Sequence, residues 1–356
     1  MKRRSVLFLV PYPLGKAPSQ RFRIEAFLPY LSKADIDYSI KPFMDAKTWK
    51  VLYRKGRFFL KSFGIIKGFI KRWITVLFQS PFYSFVFIHR EAAPIGPPIF
   101  EWIMAKVFRK KIVYDFDDAI WIPNTTNENK IIGWIKAFWK VRSICKWSYK
   151  VSCGNEYLCK YASQYSNNVI YLPSTVDTER YHNVTKTHDN SETVIGWTGS
   201  HSTTKYLDRL TAVFEKLLKE KNVRLIFISD KSPTLPLEFQ YTPWNEKTEV
   251  DDLLKFDIGI MPLQNDQWSE GKCGFKLIQY LSLGIPAIAS PVGVNNKIIE
   301  NGMNGFLCNT DEEWIDAISK LKNIALREQM GANGKTKIEK EYSLQSQLPV
   351  FVDLFT

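Results

Sequence analysis

Short apolar strands alternate with helical stretches along most of this 356-residue chain, and no other feature limits its fold as strongly. Connections between successive strands are long enough for parallel pairing, and residues 6–10 and 83–88 are apolar on both faces, as in sheets covered by helices. The pattern therefore predicts an α/β fold. Strands are expected near residues 5–10, 36–40, 83–88, 111–115, 149–152 and 169–172, and again near 193–197, 224–229, 257–261, 286–289 and 305–308.

One polar stretch, residues 173–192, interrupts this alternation and is the most linker-like segment of the chain. The length also favours two domains, each large enough to bury a core. We therefore predict two doubly wound, Rossmann-like domains, residues 1–175 and 176–340, facing each other across a cleft. Ligands are expected at the carboxyl ends of the strands, which would line that cleft.

Cysteine and histidine contents argue against a disulfide-bonded protein and against a zinc enzyme. The five cysteines lack paired CxxC spacing, which favours reduced thiols in a cytosolic protein, and the four histidines are scattered. No metal site is predicted. The apolar run after the first residues ends at Pro11, so it is interpreted as a strand and not as an export signal.

Positive charge is concentrated in the first half of the chain. Residues 1–173 carry 29 Lys/Arg against 11 Asp/Glu, a net charge of +18, whereas residues 174–356 carry 20 against 25, a net charge of −5. Residues 47–90 hold ten Lys/Arg and no acid, interleaved with aromatic residues. This mixture suits a helix near residues 47–80 that lies on an anionic membrane, although a partly buried helix with a solvated basic face is an alternative. Nucleic acid is not expected, because no nucleic-acid-binding motif accompanies the patch.

Residues 271–290 have the layout of an anion site. Gly274 allows close approach of the backbone, the helix that follows directs N–H groups and a partial positive charge at the loop, and Lys276 adds a full charge. A diphosphate fits such a site. The alternative is an ordinary helix preceded by a glycine loop.

Residues 195–205 repeat this arrangement of strand, glycine and hydroxyl loop, and helix start. Lys205 could reach an anion held at Gly199 and Ser200. A Ser/Thr helix cap beside an exposed lysine would look the same in the sequence.

In the first half, polar residues follow three strands. Arg21 and Arg23 come after the proline-rich loop 11–20 and could hold a phosphate of the other substrate, or serve no function. Asp117 and Asp118 follow the strand near 111–115 and could bind a divalent metal, bind substrate hydroxyls or cap a helix; hydroxyl recognition is favoured. Glu91 ends the preceding strand and is expected beside them.

These motifs together resemble the retaining GT-B glycosyltransferases of family 4. The resemblance extends over nearly the whole chain and includes residues 114–121, 172–177, 257–263 and 304–306 besides the two glycine loops. It implies transfer of a sugar from a nucleoside diphosphate sugar, with retention of configuration and without a metal or another cofactor. It also implies that residues 341–356 form a tail that crosses back to the first domain.

The same resemblance suggests roles for the site residues. Lys205 and Lys276 would neutralise the departing diphosphate, with Gly199, Ser200, Gly274 and Phe275 around it. Relatives carry two glutamates where this chain has Gly271 and Gln279. Gln279 could still bond the ribose, and Glu270, next to the first position, could reach the sugar. Trp197 stands where many relatives have arginine.

The sequence therefore predicts a peripheral enzyme on the cytoplasmic face of the cell membrane. Its acceptor would be a lipid-linked glycan or polysaccharide, held by Arg21, Arg23, Glu91, Asp117 and Asp118. Alternatives are a sugar nucleotide epimerase or a phosphorylase on the same fold, and a catalytically silent subunit that binds a nucleotide sugar.

Overall fold

The computed structural model describes residues 4–52, 56–123, 136–189, 192–220 and 222–356. Tyr53, Arg54 and Lys55 of the predicted basic stretch lie outside the described residues. The chain forms two compact units: an N-terminal unit of Met1–Ser174 and Gln347–Thr356, and a C-terminal unit of Thr175–Ser346.

The N-terminal unit is built on a six-stranded parallel sheet. Its strands are β1 (Arg4–Val10), β2 (Ile36–Pro42), β3 (Phe85–His89), β4 (Lys111–Phe116), β5 (Lys150–Cys153) and β6 (Val169–Tyr171), in the order β2-β1-β3-β4-β5-β6. The helices are α1 (Pro18–Gln20), α2 (Leu28–Leu31), α3 (Ala46–Leu52), α4 (Phe58–Ile74), α5 (Ile99–Trp102), α6 (Lys140–Trp147) and α7 (Glu156–Ala162). Helices α1, α4 and α5 continue as π-helical turns over Arg21–Glu25, Thr75–Gln79 and Ile103–Val107, and 3-10 turns cover Ser32–Ala34 and Ser80–Phe82.

The C-terminal unit contains a second six-stranded parallel sheet. Its strands are β7 (Thr193–Gly199), β8 (Val223–Ser229), β9 (Gln240–Pro243), β10 (Ile258–Met261), β11 (Ala287–Ala289) and β12 (Gly305–Leu307), in the order β12-β11-β10-β7-β8-β9. The direction of winding reverses between β7 and β10. In such sheets the crevice at the carboxyl ends of the two strands is the usual ligand position.

Helices of the C-terminal unit cover both faces of its sheet. A 3-10 helix, Thr204–Leu210, leads into α8 (Thr211–Leu217), and then follow α9 (Glu249–Leu253), α10 (Gln267–Glu270), α11 (Phe275–Ser282), α12 (Asn295–Ile298), α13 (Asp311–Lys320) and α14 (Ile324–Glu341). Helix α15 (Leu344–Asp353) contains the division between the units, after Ser346.

Aromatic residues near the C-terminus complete the core of the N-terminal unit. The Phe351 ring stacks on Phe27 with centroids 4.3 Å apart and lies 6.0 Å from Phe87. Phe355 lies 5.9 Å from Phe8 on β1. Burial of these large rings makes the last ten residues an integral part of this unit.

The predicted α/β class with two doubly wound sheets is confirmed. Strand β9 and helix α14 are among the elements that sequence patterns missed. Strand β9 lies at the edge of its sheet and is only half buried, so it has no continuous apolar run. Helix α14 contains Gly331 and Gly334, which ordinarily weaken a helix. A Cβ at Gly331 would lie 2.0 Å from the Gly284 carbonyl oxygen, so this glycine allows α14 to pack closely against the end of α11.

Candidate functional site

The first predicted phosphate loop follows β7 and is closely packed. A Cβ at Gly199 would lie 2.4 Å from the Trp197 ring and 2.8 Å from Thr203 Oγ1, so only glycine fits there. His201 anchors the loop: its backbone N–H donates to Asp230 Oδ1 over 2.6 Å. Ser200 Oγ lies 2.8 Å from Ser202 Oγ. The loop therefore exposes backbone and hydroxyl groups at the carboxyl edge of the sheet.

Lys205 lies in the first turn of the 3-10 helix after this loop. Its side chain is exposed, and Nζ lies 5.3 Å from the centroid of the Tyr206 ring. Tyr206 itself is buried, and Ser269 Oγ donates to its hydroxyl over 3.3 Å. Tyr206 thus joins the lysine-bearing segment to the helix that ends at Glu270.

The second predicted loop ends at Gly274, which precedes α11. Gly274 has φ +66°, and a Cβ there would lie 2.2 Å from Ile298 Cδ1. Phe275 and Lys276 form the first turn of the helix and are half-buried. The first N–H groups of a helix have no intrahelical acceptor, so this turn offers both donors and charge to an anion.

Trp197 lies between the two loops and is close to a residue of each. Its ring packs against Gly199 on one loop, and Lys276 Nζ of the other lies 5.6 Å from the ring centroid. Trp197 is 1% exposed. A buried indole therefore occupies the position at which relatives were expected to have arginine, and it supports Lys276 by a cation–π contact.

A third loop, after β11, closes the same edge. Ser290 Oγ accepts from the backbone N–H of Leu263 over 3.0 Å, which ties this loop to the end of β10. Gly293 has φ +54°, and a Cβ there would lie 3.0 Å from the carbonyl oxygen of Glu270. The half-buried Glu270 therefore lies beside the loop after β11, in the same part of the unit as the two glycine loops.

Gln279, another of the predicted donor residues, is buried within α11. It is only 3% exposed, and its Nε2 has no hydrogen-bond partner among the described residues. A buried amide donor without a partner is uncommon in folded proteins.

The sequence did not identify Tyr280 as part of this region. Its hydroxyl accepts from the Thr198 backbone N–H over 2.9 Å, and a Cβ at Gly259 on β10 would lie 2.3 Å from its ring. Burial raises the pKa of Tyr280 above its usual value, although the Thr198 bond acts the other way. A neutral phenol therefore fixes the end of β7. The glycine at position 259, in the middle of a strand, was the available signal.

In the N-terminal unit, the predicted carboxylates lie at the carboxyl ends of β3 and β4. Arg90 Nε donates to Asp117 Oδ1 over 2.9 Å, and its Nη2 donates to Asp118 Oδ2 over 2.7 Å. Glu91 Oε2 pairs with Lys140 Nζ at 2.7 Å. The three carboxylates are therefore each paired with a cation, and Arg90 is the residue that holds the two aspartates together.

Arg23 lies inside the unit, where it is 1% exposed. Its Nε and Nη2 bond both carboxylate oxygens of Asp115, and Nη1 donates to the Leu172 carbonyl oxygen over 2.7 Å. Burial would raise the pKa of Asp115, but the charge of Arg23 and a hydrogen bond from His89 outweigh it and hold that pKa well below its usual range. These contacts assign Arg23 a structural role and not the predicted contact with an acceptor.

Arg21, by contrast, is half-exposed, and its guanidinium carbon lies 4.8 Å from the Phe22 ring centroid. The loop before it is held by Glu25, which accepts from the Gly15 N–H over 2.9 Å and from Gln20 Nε2 over 2.7 Å. Of the two predicted arginines, Arg21 is the one that keeps some exposure to solvent, although its Nη1 is buried.

Within the described ranges, no group of three or more His, Cys, Asp or Glu side chains is arranged to hold a metal ion. The expected metal independence stays a prediction. No helix in the described part of the chain combines the length and apolar character needed to cross a membrane.

A known protein family matches part of the C-terminal unit. Residues 192–323, within the C-terminal unit, match the family described as "Glycosyl transferases group 1". No curated protein matches the chain.

Solved structures are similar over nearly the whole chain. Sucrose-phosphate synthase from Thermosynechococcus elongatus has a TM-score of 0.72 at 11% identity, covering 99% of this chain and 98% of its own. A glycosyltransferase from Rickettsia africae has a TM-score of 0.68 at 14% identity. The match covers 100% of this chain and 98% of the Rickettsia chain. HepE from Anabaena, solved with UDP and glucose, has a TM-score of 0.65 at 13% identity, covering 98% of each chain. At these identities the likeness defines the fold, which is GT-B.

Proposed function

We propose that this protein is a retaining glycosyltransferase that moves a sugar from a nucleoside diphosphate sugar to a membrane-proximal glycan or lipid-linked acceptor. One observation carries the proposal. The segment that matches the group 1 glycosyltransferases, residues 192–323, contains both glycine loops, and these loops meet at Trp197.

The donor diphosphate would bind between the two loops. Its oxygens would accept hydrogen bonds from backbone N–H groups at Gly199 and at the first turn of α11. Lys276 would neutralise the charge that grows as the diphosphate departs, and the exposed Lys205 would approach it from the other loop. The Trp197 ring supports this role, since it fixes the position of the ammonium group.

Gln279 and Glu270 would recognise the remainder of the donor. The Nε2 of Gln279, for which the described residues provide no acceptor, would donate to a ribose hydroxyl. Glu270, beside the Gly293 loop, would bond hydroxyls of the sugar. The HepE complexes contain UDP and UDP-glucose, which makes uridine diphosphate sugars the first donors to test.

The acceptor hydroxyl would attack the sugar from the side on which the diphosphate leaves. Its proton would pass to the departing phosphate oxygen, so that no side chain is needed as a general base and no metal takes part. In the N-terminal unit, Asp117 and Asp118 would orient acceptor hydroxyls, and Glu91 and Arg21 of the same unit would assist them. The Arg90 pairs support this role because they lower the cost of keeping two carboxylates together.

A catalytically silent nucleotide-sugar-binding subunit is the second candidate. Gly271 and Gln279 in place of two glutamates favour it, because both donor-facing charges would be absent. Incubation of the full chain with labelled sugar nucleotides and membrane extract distinguishes the two. Transfer of label to an extractable acceptor supports the enzyme, whereas binding without transfer supports the silent subunit.

The donor site is tested by calorimetry with UDP, followed by other nucleoside diphosphates. Lys276→Ala should weaken binding by about tenfold, since one charge-assisted contact contributes roughly 1.5 kcal/mol. Lys205→Ala should weaken it less, because its side chain is exposed. Lys216→Ala, an exposed lysine on α8, is the matched control and should bind normally. Unchanged affinity in both loop variants would exclude this donor site.

The enzyme would work at the cytoplasmic face of the membrane, attracted by its basic half. The charge of +18 over residues 1–173 supports attachment to anionic lipid, with about 1 kcal/mol for each Lys/Arg near the surface. Such attachment would bring the enzyme to an acceptor that does not leave the membrane.

A further inference from the structure

Helix α4 has its large apolar side chains on the outside of the protein. Phe59 is 87% exposed and Phe63 68%, and Ile66, Ile70 and Ile74 continue the row. These positions are three or four residues apart and therefore lie on one face of the helix. A soluble protein ordinarily turns such a face towards its core.

The opposite face of α4 is small and polar, and its packing fixes the orientation of the helix. A Cβ at Gly64 would lie 2.5 Å from Thr48, and one at Gly68 would lie 2.5 Å from Phe43. Arg72 is buried and donates to the Val10 carbonyl oxygen over 3.2 Å. Larger side chains do not fit against this surface, so rotation of the helix cannot bury the apolar row.

Two further contacts hold α4 against the unit. Lys67 Nζ donates to Asp45 Oδ2 over 2.7 Å, and Trp73 packs on Phe100 with ring centroids 4.9 Å apart. The neighbouring α5, which carries Phe100, also exposes Ile99 and Trp102. Exposed apolar side chains thus occur on α4 and on the helix that packs against it.

Positive charge accompanies the apolar row. Arg57 directly before α4, Lys71 on α4, and Lys47 and Lys50 on α3 are exposed, and no acid occurs in residues 47–90. A symmetric contact between two copies would bring these like charges together, which opposes self-association. An anionic phospholipid membrane complements both the charge and the apolar row.

We propose that α4 lies in the plane of an anionic membrane, with Phe59, Phe63, Ile66 and Ile70 inserted among the acyl chains and the flanking cations at the headgroups. The helix has 17 residues, about 25 Å, which suits an interfacial position. This inference rests on the proposed function, since it names the surface that would bring the enzyme to its acceptor. Attachment to the membrane would then not be purely electrostatic, because the apolar side chains of α4 would anchor the protein among the acyl chains.

Co-sedimentation of the full chain with vesicles of phosphatidylglycerol and phosphatidylcholine tests the proposal. Binding should persist in part at about 1 M salt, where screening shortens the Debye length to about 3 Å. Phe59→Ser with Phe63→Ser should lower the partition coefficient about tenfold or more, since each buried phenylalanine contributes strongly. The matched control is Tyr181→Ser with Met303→Ser, two exposed apolar residues of the C-terminal unit, which should bind as the wild type does.

Complete release of the wild type by salt, or wild-type binding by the Phe59→Ser/Phe63→Ser variant, would overturn the proposal. So would a dimer in solution that this variant dissociates while vesicle binding is absent. UDP affinity and sugar transfer, measured on the same preparations without vesicles, separate the two proposals. Transfer without vesicle binding rejects only the membrane anchor, and vesicle binding without donor binding rejects only the glycosyltransferase.

Discussion

Each unit contains a buried aspartate in contact with a histidine, with an arginine in the same cluster, but the two clusters lie at opposite ends of their sheets. In the N-terminal unit, Asp115 near the carboxyl end of β4 bonds Arg23 and lies 2.8 Å from His89 Nδ1. In the C-terminal unit, Asp257 directly precedes β10 and lies 3.0 Å from His188 Nδ1, and Arg327 Nε lies 3.3 Å from the same nitrogen.

This difference shows how one type of sheet serves two kinds of site. In the C-terminal unit the ionic cluster lies at the amino ends of the strands, and the carboxyl edge is left to glycine loops that expose N–H groups. In the N-terminal unit the carboxyl edge itself carries the ion pairs of Asp115, Asp117 and Asp118. The exposed N–H groups of the C-terminal unit suit a diphosphate, and the paired carboxylates of the N-terminal unit suit neutral hydroxyl groups.

The largest effect is expected from breaking the N-terminal cluster. Arg23→Ala leaves Asp115 buried without its cation, which should destabilise this unit by about 3 to 5 kcal/mol. Hydrogen exchange of the β4 peptide, followed by mass spectrometry, measures the local loss of protection. Arg21→Ala is the control, because that side chain is half-exposed. Equal exchange in the two variants would contradict a structural role for Arg23.

An intermediate effect is expected at the glycine loop before α11. Gly274→Ala combines a left-handed backbone with a contact 2.2 Å from Ile298 Cδ1, and should cost about 2 to 4 kcal/mol. Gly302→Ala shares the positive φ, at +80°, but has nothing within 4 Å of the added Cβ, so it should cost only about 1 kcal/mol. Thermal unfolding measures the loss of stability in each variant, and calorimetry measures the affinity of each variant for UDP. Weakened UDP binding in Gly302→Ala alone would place the anion site elsewhere.

The smallest effect is expected from the ionic cluster of the C-terminal unit. Burial would raise the pKa of Asp257, but hydrogen bonds from His188 and the Val194 N–H, with the charges of Lys186 and Arg327, lower it. The stability that its charge provides is therefore complete above the unfolded value of about 3.9 and is lost as the pH falls towards the lower folded value.

Asp257→Asn should cost about 2 kcal/mol at neutral pH and reduce the loss of stability below about pH 4. Urea unfolding between neutral and acidic pH measures both quantities. UDP affinity at neutral pH should not change, because Asp257 lies at the end of the sheet opposite the glycine loops. A UDP defect comparable to that of Lys276→Ala would contradict this separation.

The two glycine loops of the C-terminal unit could be predicted because their signals are local. Gly274 followed by Lys276, and Gly199 followed by Ser200 and Lys205, indicate loop and helix start within a few residues. The N-terminal residues were less predictable. Arg23 and Asp115 are 92 positions apart, and nothing in either neighbourhood shows that one neutralises the other. Arg23 consequently looked available for a ligand, although its side chain is buried.

The sequence by itself determined the alternation of strands and helices, the two sheets and the positions of both glycine loops, because hydrophobic periodicity and backbone freedom are properties of short segments. Only the tertiary structure decided which charges remain accessible and which face of α4 is exposed. Arg23 and Arg72 are buried inside the N-terminal unit. Gly64 and Gly68 pack against the unit, so the phenylalanines on the other face of α4 are exposed. Burial and ion pairing depend on partners distant along the chain, so the pattern around each residue cannot reveal them.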